Sequence, residues 1–466
     1  MTPSERFGKC RVGNWLPDDH AHVDVWIRDL KARVIEMREP LAPPIQEFKA
    51  MVENDPGLYA NAVAMFTEAR LVKKRIPLGT LEVRDFDEFL VLLNAIMTQA
   101  PEFIEYNDGK GEVWKTCGLI AFPINTLLDW PMATAFGYSF FSNALVNQQL
   151  KKILNHWGRF LDTEASLYVL APGYSREYRA DGVKYRVLSW LSEEARKKMV
   201  EVACQAVEGP QHQECVQMPF EYFFNCDPED PYFGFTSWDR FFTRIFRNEK
   251  GHVVRPVAEG DDVIANACES APLQIPVSGV KASAGFWLKG QPYSLQNMMD
   301  FDPLAEEFIG GTVYQAFLSA LSYHRWNSPV TGTVKKAFVV NGSYYLENHY
   351  TGFTSDTPDT SAPNDSQAFL TSVATRAVIF IEADNPKIGL MCVIAVGMAE
   401  VSSCEITVEA GKSVKKGQEL GMFHFGGSTH CLIFRKGVEL EFDFHNTTPG
   451  LDATNIPVGS RIATVK

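Results

Sequence analysis

The sequence predicts an α+β protein with a mainly helical first half and a second half rich in β-strands. Up to about Cys226, apolar residues recur at helical spacing, whereas from Val253 onward short β-branched runs alternate with turns. A length of 466 residues exceeds what one hydrophobic core usually organises, so two or three domains are expected. We place two of them at residues 1–228 and 229–466, with the boundary in the segment CDPEDPY.

Helices are predicted for four segments of the first half. The first of them is interrupted by the turn sequence Asn-Asp-Pro-Gly at residues 54–57, and the second begins at Asp85, a suitable N-cap. Acidic residues follow the start of the fourth, as the helix dipole favours. The four segments are 44–69, 85–98, 140–160 and 192–207.

The second half predicts a β-rich domain. Runs such as AVIFIEA and GLMCVIAVGM are expected to form strands, several of them buried on both faces. Residues 294–321 predict a helical hairpin between the strands, and the polar residues 351–367 predict a mobile surface loop. Residues 330–346 and 404–423 share a strand–turn–strand pattern.

The composition is that of a globular protein without a basic surface. Hydrophobic residues make up 45% of the chain, charged residues 22%, and the net charge is −13. This balance disfavours binding to nucleic acid or to an anionic membrane surface. The most apolar stretch, residues 118–146, is interrupted by polar residues and prolines, which favours buried helices over a membrane span. We therefore expect no nucleic-acid partner, no integral membrane segment and a cytoplasmic location.

The cysteines and histidines show no ligand pattern. Nine cysteines are scattered singly, without a CxxC pair, which favours reduced thiols over a disulfide framework or a zinc site. His20 and His22 are too sparse a pair to predict a metal site. No metal is expected.

A glycine pair followed by serine near the C-terminus suggests a specific chemistry. Residues 426–429 read Gly-Gly-Ser-Thr, which in isolation is typical of a tight turn. In a strained turn, however, the Ser428 hydroxyl can attack the carbonyl of Gly427 and take over its acyl group. β-Elimination then leaves dehydroalanine, which hydrolyses to a pyruvoyl group. That carbonyl forms a Schiff base with an amine and accepts electrons, as pyridoxal phosphate does.

Five ordered motifs resemble those of the phosphatidylserine decarboxylase family. VKKGQELGMFHFGGSTHCLIF is similar to the family's C-terminal signature, in which the chain is cut before the serine. The resemblance implies a β-rich catalytic domain of that type, self-cleavage between Gly427 and Ser428, and a covalent pyruvoyl cofactor made from Ser428. The mature protein would be two chains, 1–427 and 428–466. The other similar motifs are GFTSWDRFFTR at 234–244, KG and YSL within 289–295, YHRW at 323–326, and the paired strands of 378–397.

The first 226 residues do not resemble the membrane anchor of the phospholipid enzymes. PIQEFKAMVENDP and the tetrapeptide ACES are closer to the soluble pyruvoyl-type aromatic L-amino acid decarboxylases of fungal secondary metabolism, the branch of L-tryptophan decarboxylase. This resemblance implies that an aromatic, tryptophan-like amino acid is converted to its amine and CO₂, with the cleaved C-terminal chain as partner. The alternatives are a phosphatidylserine decarboxylase that makes phosphatidylethanolamine, and an unprocessed relative without catalysis.

Two positions depart from the family's Asp-His-Ser arrangement for self-cleavage. Glu269 stands where the family has aspartate, which keeps the charge and the ability to orient an imidazole. Asn327 replaces the second histidine of the YHRxH box, and an amide cannot transfer the proton. The resemblance therefore implies Ser428, Gly427, His324 and Glu269 as the catalytic residues.

The replacement at Asn327 leaves three interpretations open. His324, in the same box, supplies the base, or His424 or His430 beside the cleavage site takes its place, or the chain never matures. The first interpretation is the one we favour from the sequence.

Overall fold

The computed structural model describes most of the chain. The described residues are 21–37, 40–75, 82–109, 111, 113–117, 122–207, 210–283, 293–319, 321–348, 366–400, 403–425, 427–450 and 452–466.

The described residues fall into two compact units. The first contains those within 1–195, 236–239 and 343–366, and the second those within 196–235, 240–342 and 367–466. The domain boundary predicted at 226–232 stays a prediction.

The first unit is mainly helical, which confirms the predicted character of the first half. Its helices bury amphipathic faces around residues such as Phe48, Phe66 and Phe89, all of which are fully or almost fully buried. The elements are α1 (Ala21–Met37), α2 (Pro43–Asn54), α3 (Pro56–Arg75), α4 (Phe86–Ile96), α5 (Pro123–Met132), α6 (Ala135–Phe141), α7 (Ala144–Leu161) and a 3₁₀ helix (Glu164–Leu170).

The helix boundaries follow local sequence signals. α2 and α3 meet at Asp55, as the Asn-Asp-Pro-Gly sequence predicted. α4 is capped by Asp85, whose carboxylate accepts a hydrogen bond from the Glu88 amide at 2.9 Å. The helix predicted over 140–160 is interrupted by Asn143, whose side chain accepts the Leu145 amide and caps α7. The apolar segment 118–146 contains α5 and α6, as predicted for buried helices.

A small antiparallel sheet in this unit was not predicted. Its strand order is β2-β1-β4-β3. The hairpin between β3 and β4 turns at Asp181 and Gly182, both with positive φ, as a type I′ turn requires. The Asp-Gly pair, flanked by residues that alternate in polarity, could therefore have predicted this hairpin from the sequence. The strands are β1 (Phe103–Asn107), β2 (Lys115–Thr116), β3 (Ser175–Ala180) and β4 (Val183–Leu188).

Short helices follow along the chain. The helix predicted over 192–207 is present as α8, which spans Glu193–Ala203. These elements are α8 (Glu193–Ala203), α9 (Pro210–Cys215), α10 (Phe220–Phe223), α11 (Trp238–Phe242), α12 (Leu295–Met298), α13 (Gln367–Val373) and 3₁₀ helices at Pro231–Gly234 and Pro303–Phe308.

The remaining strands confirm the predicted β-rich second half. They are β5 (Asn248–Glu249), β6 (His252–Val253), β7 (Val263–Ala265), β8 (Ala271–Pro272), β9 (Val277–Ser278), β10 (Thr312–Leu318), β11 (Arg325–Asn327), β12 (Gly332–Val340), β13 (Arg376–Ala383), β14 (Leu390–Met398), β15 (Cys404–Ile406), β16 (Ser413–Val414), β17 (Glu419–Phe423), β18 (Gly427–Phe434), β19 (Leu440–Phe442) and β20 (Arg461–Val465).

One antiparallel sheet organises the second unit. Its strand order is β16-β12-β13-β14-β18-β10-β8, and β9 also pairs with β10. The central strand β14 is buried along its whole length, which explains its continuous apolar run. Smaller sheets have the orders β11-β17-β15 and β19-β20-β7. Strand β18 therefore has a hydrogen-bonded neighbour on each side.

The helical hairpin predicted over residues 294–321 is wrong. Among the described residues of this range, only the single turn of α12 and a 3₁₀ helix are helical, and Thr312–Leu318 is strand β10. β10 is buried on both faces between neighbouring strands, so its apolar residues do not alternate with polar ones. Such a run cannot be distinguished from a buried helix by periodicity. The loop predicted at 351–367 lies almost wholly outside the described residues.

The expectation that all cysteines are reduced is wrong for two of them. Cys204 and Cys215 form a disulfide that links the residue after α8 to the end of α9. Their spacing of eleven residues matches no motif, so the sequence offered no signal for the pair. Disulfides are rare in the cytosol, where thiols are kept reduced, so this pair does not support the predicted cytoplasmic location. That location stays a prediction.

No helix within the described ranges combines the length and the apolar character needed to cross a membrane.

The cap of α4 provides a test of the first unit. Asp85→Ala should lower the free energy of unfolding by about 1 kcal/mol, because the Glu88 amide loses its acceptor. Asp85→Asn keeps a side-chain oxygen and is the matched control, with an expected change of a few tenths of a kcal/mol. Chemical denaturation of both variants measures the difference. Equal losses would show that the cap does not stabilise the helix.

Candidate active site

The predicted cleavage bond lies at the beginning of β18, an interior strand of the large sheet. Ser428 pairs with Leu318 of β10 on one side and with Gly397 of β14 on the other. The pairing continues without a bulge as far as Phe434. The backbone of the predicted nucleophile is therefore fixed by two neighbouring strands.

The Ser428 side chain is buried and has no hydrogen-bond partner among the described residues. An unpaired hydroxyl in an apolar interior costs free energy, and such groups are concentrated at functional sites. A small residue that presents a free Oγ next to Gly427 fits the chemical requirements for a pyruvoyl precursor. No group of His, Cys, Asp or Glu side chains in the described part of the chain is arranged to hold a metal ion.

His430 lies on the same face of β18 as Ser428, because side chains two residues apart in a strand point the same way. Its ring is fully buried, and neither nitrogen forms a hydrogen bond of good geometry with a described residue. Burial lowers the pKa of His430 to about 3, partly opposed by the Ala316 backbone, so the imidazole is neutral at neutral pH. Tyr314 approaches this ring edge-on, with the ring centroids 6.0 Å apart.

His324 lies immediately before β11, which pairs with β17, the last strand before the cleavage bond. Its backbone carbonyl accepts the amide of Phe423 at 2.9 Å, and its ring stacks on Phe242 at a centroid distance of 4.3 Å. Phe242 also contacts Phe425, three residues before Ser428. Both ring nitrogens of His324 are buried without a hydrogen bond of good geometry to a described side chain or backbone group.

Burial, and after it a nearby arginine, keeps His324 uncharged. Burial and then the positive charge of Arg244 lower the pKa of His324 to about 3, while the Ser322 backbone opposes part of the change. Arg244 itself is fully enclosed, and burial lowers its pKa to about 10. Its guanidinium donates to the Leu321 carbonyl at 2.9 Å and lies over the Phe224 ring at 4.5 Å. In the sequence, this arginine is visible only as the last residue of the motif GFTSWDRFFTR.

Asn327 has a structural partner. Its side-chain amide donates to the Gly417 carbonyl at 2.7 Å, and its backbone amide donates to Ala267 at 2.8 Å. These bonds hold β11 against the turn before β17, whose residue Glu419 pairs with Asn327. The residue that replaces the family's second histidine therefore stabilises the local sheet.

Glu269 is buried, and its carboxylate binds an arginine. Arg255 donates to both carboxylate oxygens, at 2.9 and 2.6 Å, and the Val458 amide donates at 2.9 Å. In the described part of the chain, none of these bonds reaches His324, whose ring nitrogens are unpaired. The predicted role of Glu269 in orienting an imidazole stays a prediction. Of its observed partners, Arg255 precedes the cleavage bond in the chain and Val458 follows it.

His424 differs from the other two histidines near the site. Its ring is partly exposed and lies 2.9 Å from a carboxylate oxygen of Glu405. It belongs to the segment between β17 and β18, whereas His430 lies inside β18.

A buried polar network behind the cleavage bond was not predicted. Thr429 accepts a hydrogen bond from the Gln315 amide at 3.1 Å, and Tyr293 donates to the Gln315 carbonyl oxygen at 2.6 Å. The Gln274 amide donates to Tyr293 at 2.6 Å. The side-chain amide of Gln367 is buried nearby without a partner among the described residues. The sequence indicated this network only through Gln315, a polar residue within an apolar run.

Comparison with known proteins finds one family. Residues 42–199 and 238–464 match two sequence profiles, both described as phosphatidylserine decarboxylase.

Several similar curated proteins come from fungi. Decarboxylase iboD of Amanita muscaria is 40% identical over 363 residues, which is 74% of this chain and 91% of the relative. L-tryptophan decarboxylase of Psilocybe cubensis is 33% identical over 97% of this chain and 94% of its own length. Phosphatidylserine decarboxylase proenzyme 3 of Schizosaccharomyces pombe is 26% identical over 52% of this chain and 24% of its own. The chain therefore belongs to the phosphatidylserine decarboxylase family and is a decarboxylase.

Proposed function

We propose that the chain is a proenzyme that cleaves itself before Ser428, converts this serine to a pyruvoyl group and decarboxylates an aromatic L-amino acid, with a tryptophan-like side chain as the preferred substrate. The observation that carries the proposal is the buried, unpaired Ser428 hydroxyl at the beginning of β18, next to Gly427 in the family's cleavage motif.

The extent of the similarity supports an amino acid rather than a phospholipid as substrate. The relative named L-tryptophan decarboxylase aligns over 97% of this chain, and so includes the helical first unit. The relative named phosphatidylserine decarboxylase proenzyme 3 aligns over 52% only. The profile that matches residues 42–199 is also described as phosphatidylserine decarboxylase, so the support comes from the near-complete alignment with the tryptophan decarboxylase and not from the first unit alone.

The pyruvoyl group supplies an electrophilic carbonyl that binds the substrate amine and draws in the electrons released with CO₂. The chain contributes an enclosed site, because Ser428, His324 and His430 are all buried. We assign His324 to proton transfer at the substrate carbon. Burial keeps this imidazole uncharged at neutral pH, so one ring nitrogen can accept a proton.

The two mature chains are expected to stay together. Residues 428–466 would keep β18 between β10 and β14, and would keep β20 paired with β7. The bond between the Glu269 carboxylate and the Val458 amide would also join the two chains. Glu269 therefore has a proposed role in holding the cleaved chain, beside the orienting role predicted from the sequence.

Self-cleavage can be tested on the purified protein. Denaturing electrophoresis and intact mass should show residues 428–466 as a separate chain with a blocked N-terminus. Ser428→Ala should abolish both cleavage and decarboxylation, because alanine has no nucleophile. Ser428→Cys keeps a nucleophile and is the matched control, with slow cleavage expected. A folded wild-type protein that remains intact would favour the unprocessed, non-catalytic alternative.

The cofactor can be tested with carbonyl reagents. Borohydride or hydroxylamine should inactivate the enzyme, because both attack a carbonyl carbon, whereas added pyridoxal phosphate should not change the rate. Mass analysis of the short chain should show the modification at its N-terminal residue. Stimulation by pyridoxal phosphate would contradict the assignment.

The substrate class can be tested by CO₂ release. L-Tryptophan should be decarboxylated, whereas phosphatidylserine in mixed vesicles should not, and D-tryptophan is the matched control for stereochemistry. Phosphatidylethanolamine formation at a rate above that of tryptamine would favour the phospholipid alternative.

A further inference from the structure

We propose that His430 takes the hydroxyl proton of Ser428 and returns it to the departing amide nitrogen during self-cleavage. This inference rests on the proposed function, because it concerns the step that makes the reactive group. It assigns to a residue of β18 the proton transfer that Asn327 cannot perform.

The strand geometry brings the two side chains together. Residues 428 and 430 are separated by two strand steps, about 6.6 Å between their Cα atoms, and both side chains point to the same face. Both are paired with β10 and β14 in a regular ladder, so the spacing is fixed. The residues opposite His430 in the two neighbouring strands are Ala316 and Ala395, so neither partner places a bulky side chain beside the imidazole.

The surroundings of His430 are those of a functional histidine. A histidine that serves only to fill a core usually pairs its nitrogens, because an unpaired buried polar group costs free energy. Here neither nitrogen forms a hydrogen bond of good geometry with a described residue, although the Ala316 backbone acts on the ring, and the Ser428 hydroxyl has no partner among those residues. Tyr314 and Leu432, which pair with each other next to His430, belong to the apolar cluster of the sheet, so the surroundings of His430 are largely apolar. The neutral state favoured by burial leaves a lone pair free to accept that proton.

The other candidate groups have different contacts. The amide of Asn327 is bound to the Gly417 carbonyl, and His424 contacts Glu405 at the surface. The ring of His324 stacks on Phe242 and is positioned from β11 rather than from the strand that carries Ser428. His430 is therefore the histidine whose position relative to Ser428 is set by one continuous strand.

The proposed step is an acyl shift. The Ser428 Oγ bonds to the carbonyl carbon of Gly427 as His430 accepts the hydroxyl proton. His430 then protonates the Ser428 nitrogen, the carbon–nitrogen bond breaks, and an ester with a free amine remains. Loss of the Ser428 α-proton and cleavage of the Cβ–oxygen bond release the Gly427 carboxylate and leave dehydroalanine. Addition of water and loss of ammonia complete the pyruvoyl group.

The first test is the variant His430→Leu, which preserves side-chain volume and removes both nitrogens. We expect it to fold with an unfolding midpoint at or above that of the wild type, because two unpaired polar atoms disappear. We expect its cleavage to be about 10²–10⁴-fold slower, the usual contribution of a general base. A merely structural histidine would lose stability and cleavage together. His424→Leu is the matched control and should cleave at the wild-type rate.

Pulse-chase electrophoresis of the full-length chain measures these rates, and hydroxylamine identifies the blocked step. Hydroxylamine cleaves an ester but not a peptide bond, so the His430→Leu precursor should resist it. An ester that accumulates, or cleavage of His430→Leu at the wild-type rate, would overturn the proposal. If His324→Leu stops cleavage and His430→Leu does not, His324 is the base. An intact wild-type chain in the same experiment would instead overturn the proposed function.

Chemical rescue provides a second readout. His430→Ala leaves a buried space of about the size of an imidazole ring, and free imidazole should occupy it and restore cleavage in proportion to its concentration. The wild type and Ser428→Ala should not respond. Failure of imidazole to accelerate cleavage of folded His430→Ala would contradict the proposed proton transfer.

Discussion

The ladder that holds β18 between β10 and β14 is the constraint on which the site depends. The bond to be cut lies at the beginning of this strand, so the new chain would begin inside the sheet rather than at a free end. Side-chain alternation then decides what Ser428 meets: residue 430 shares its face, and residue 429 faces the polar network around Gln315. A shift of the pairing by one residue would exchange these two surroundings.

Burial determines the protonation states around this strand. Both His324 and His430 are enclosed and have pKa values lowered to about 3, so they are neutral bases at neutral pH. The same burial leaves their nitrogens and the Ser428 hydroxyl unpaired, at a cost in stability. Natural proteins accept such a cost mainly where function requires it. The coincidence of unpaired groups along β18 therefore indicates a site rather than imperfect packing.

Much of the architecture could be predicted because the signals are local. The turn at residues 54–57 and the cap at Asp85 act on their own neighbours, and both form as expected. The missed features depend on distant partners. β10 is a strand because two other strands enclose it, and the pairing of Glu269 with Arg255 requires the fold. The Asp-Gly turn at residue 181 was local as well and could have been predicted.

The difference between a local sequence signal and a contact made by the fold also applies to Asn327. A family motif specifies residue types at fixed positions, but proton transfer requires only that a base reach the reacting atom. Asn327 anchors β11 through the Gly417 carbonyl, a role that an amide fills well and that involves no proton transfer. With His430 in β18, the base for self-cleavage would belong to the same strand as the nucleophile. His324 would then serve the substrate alone, so that maturation and turnover could be altered independently.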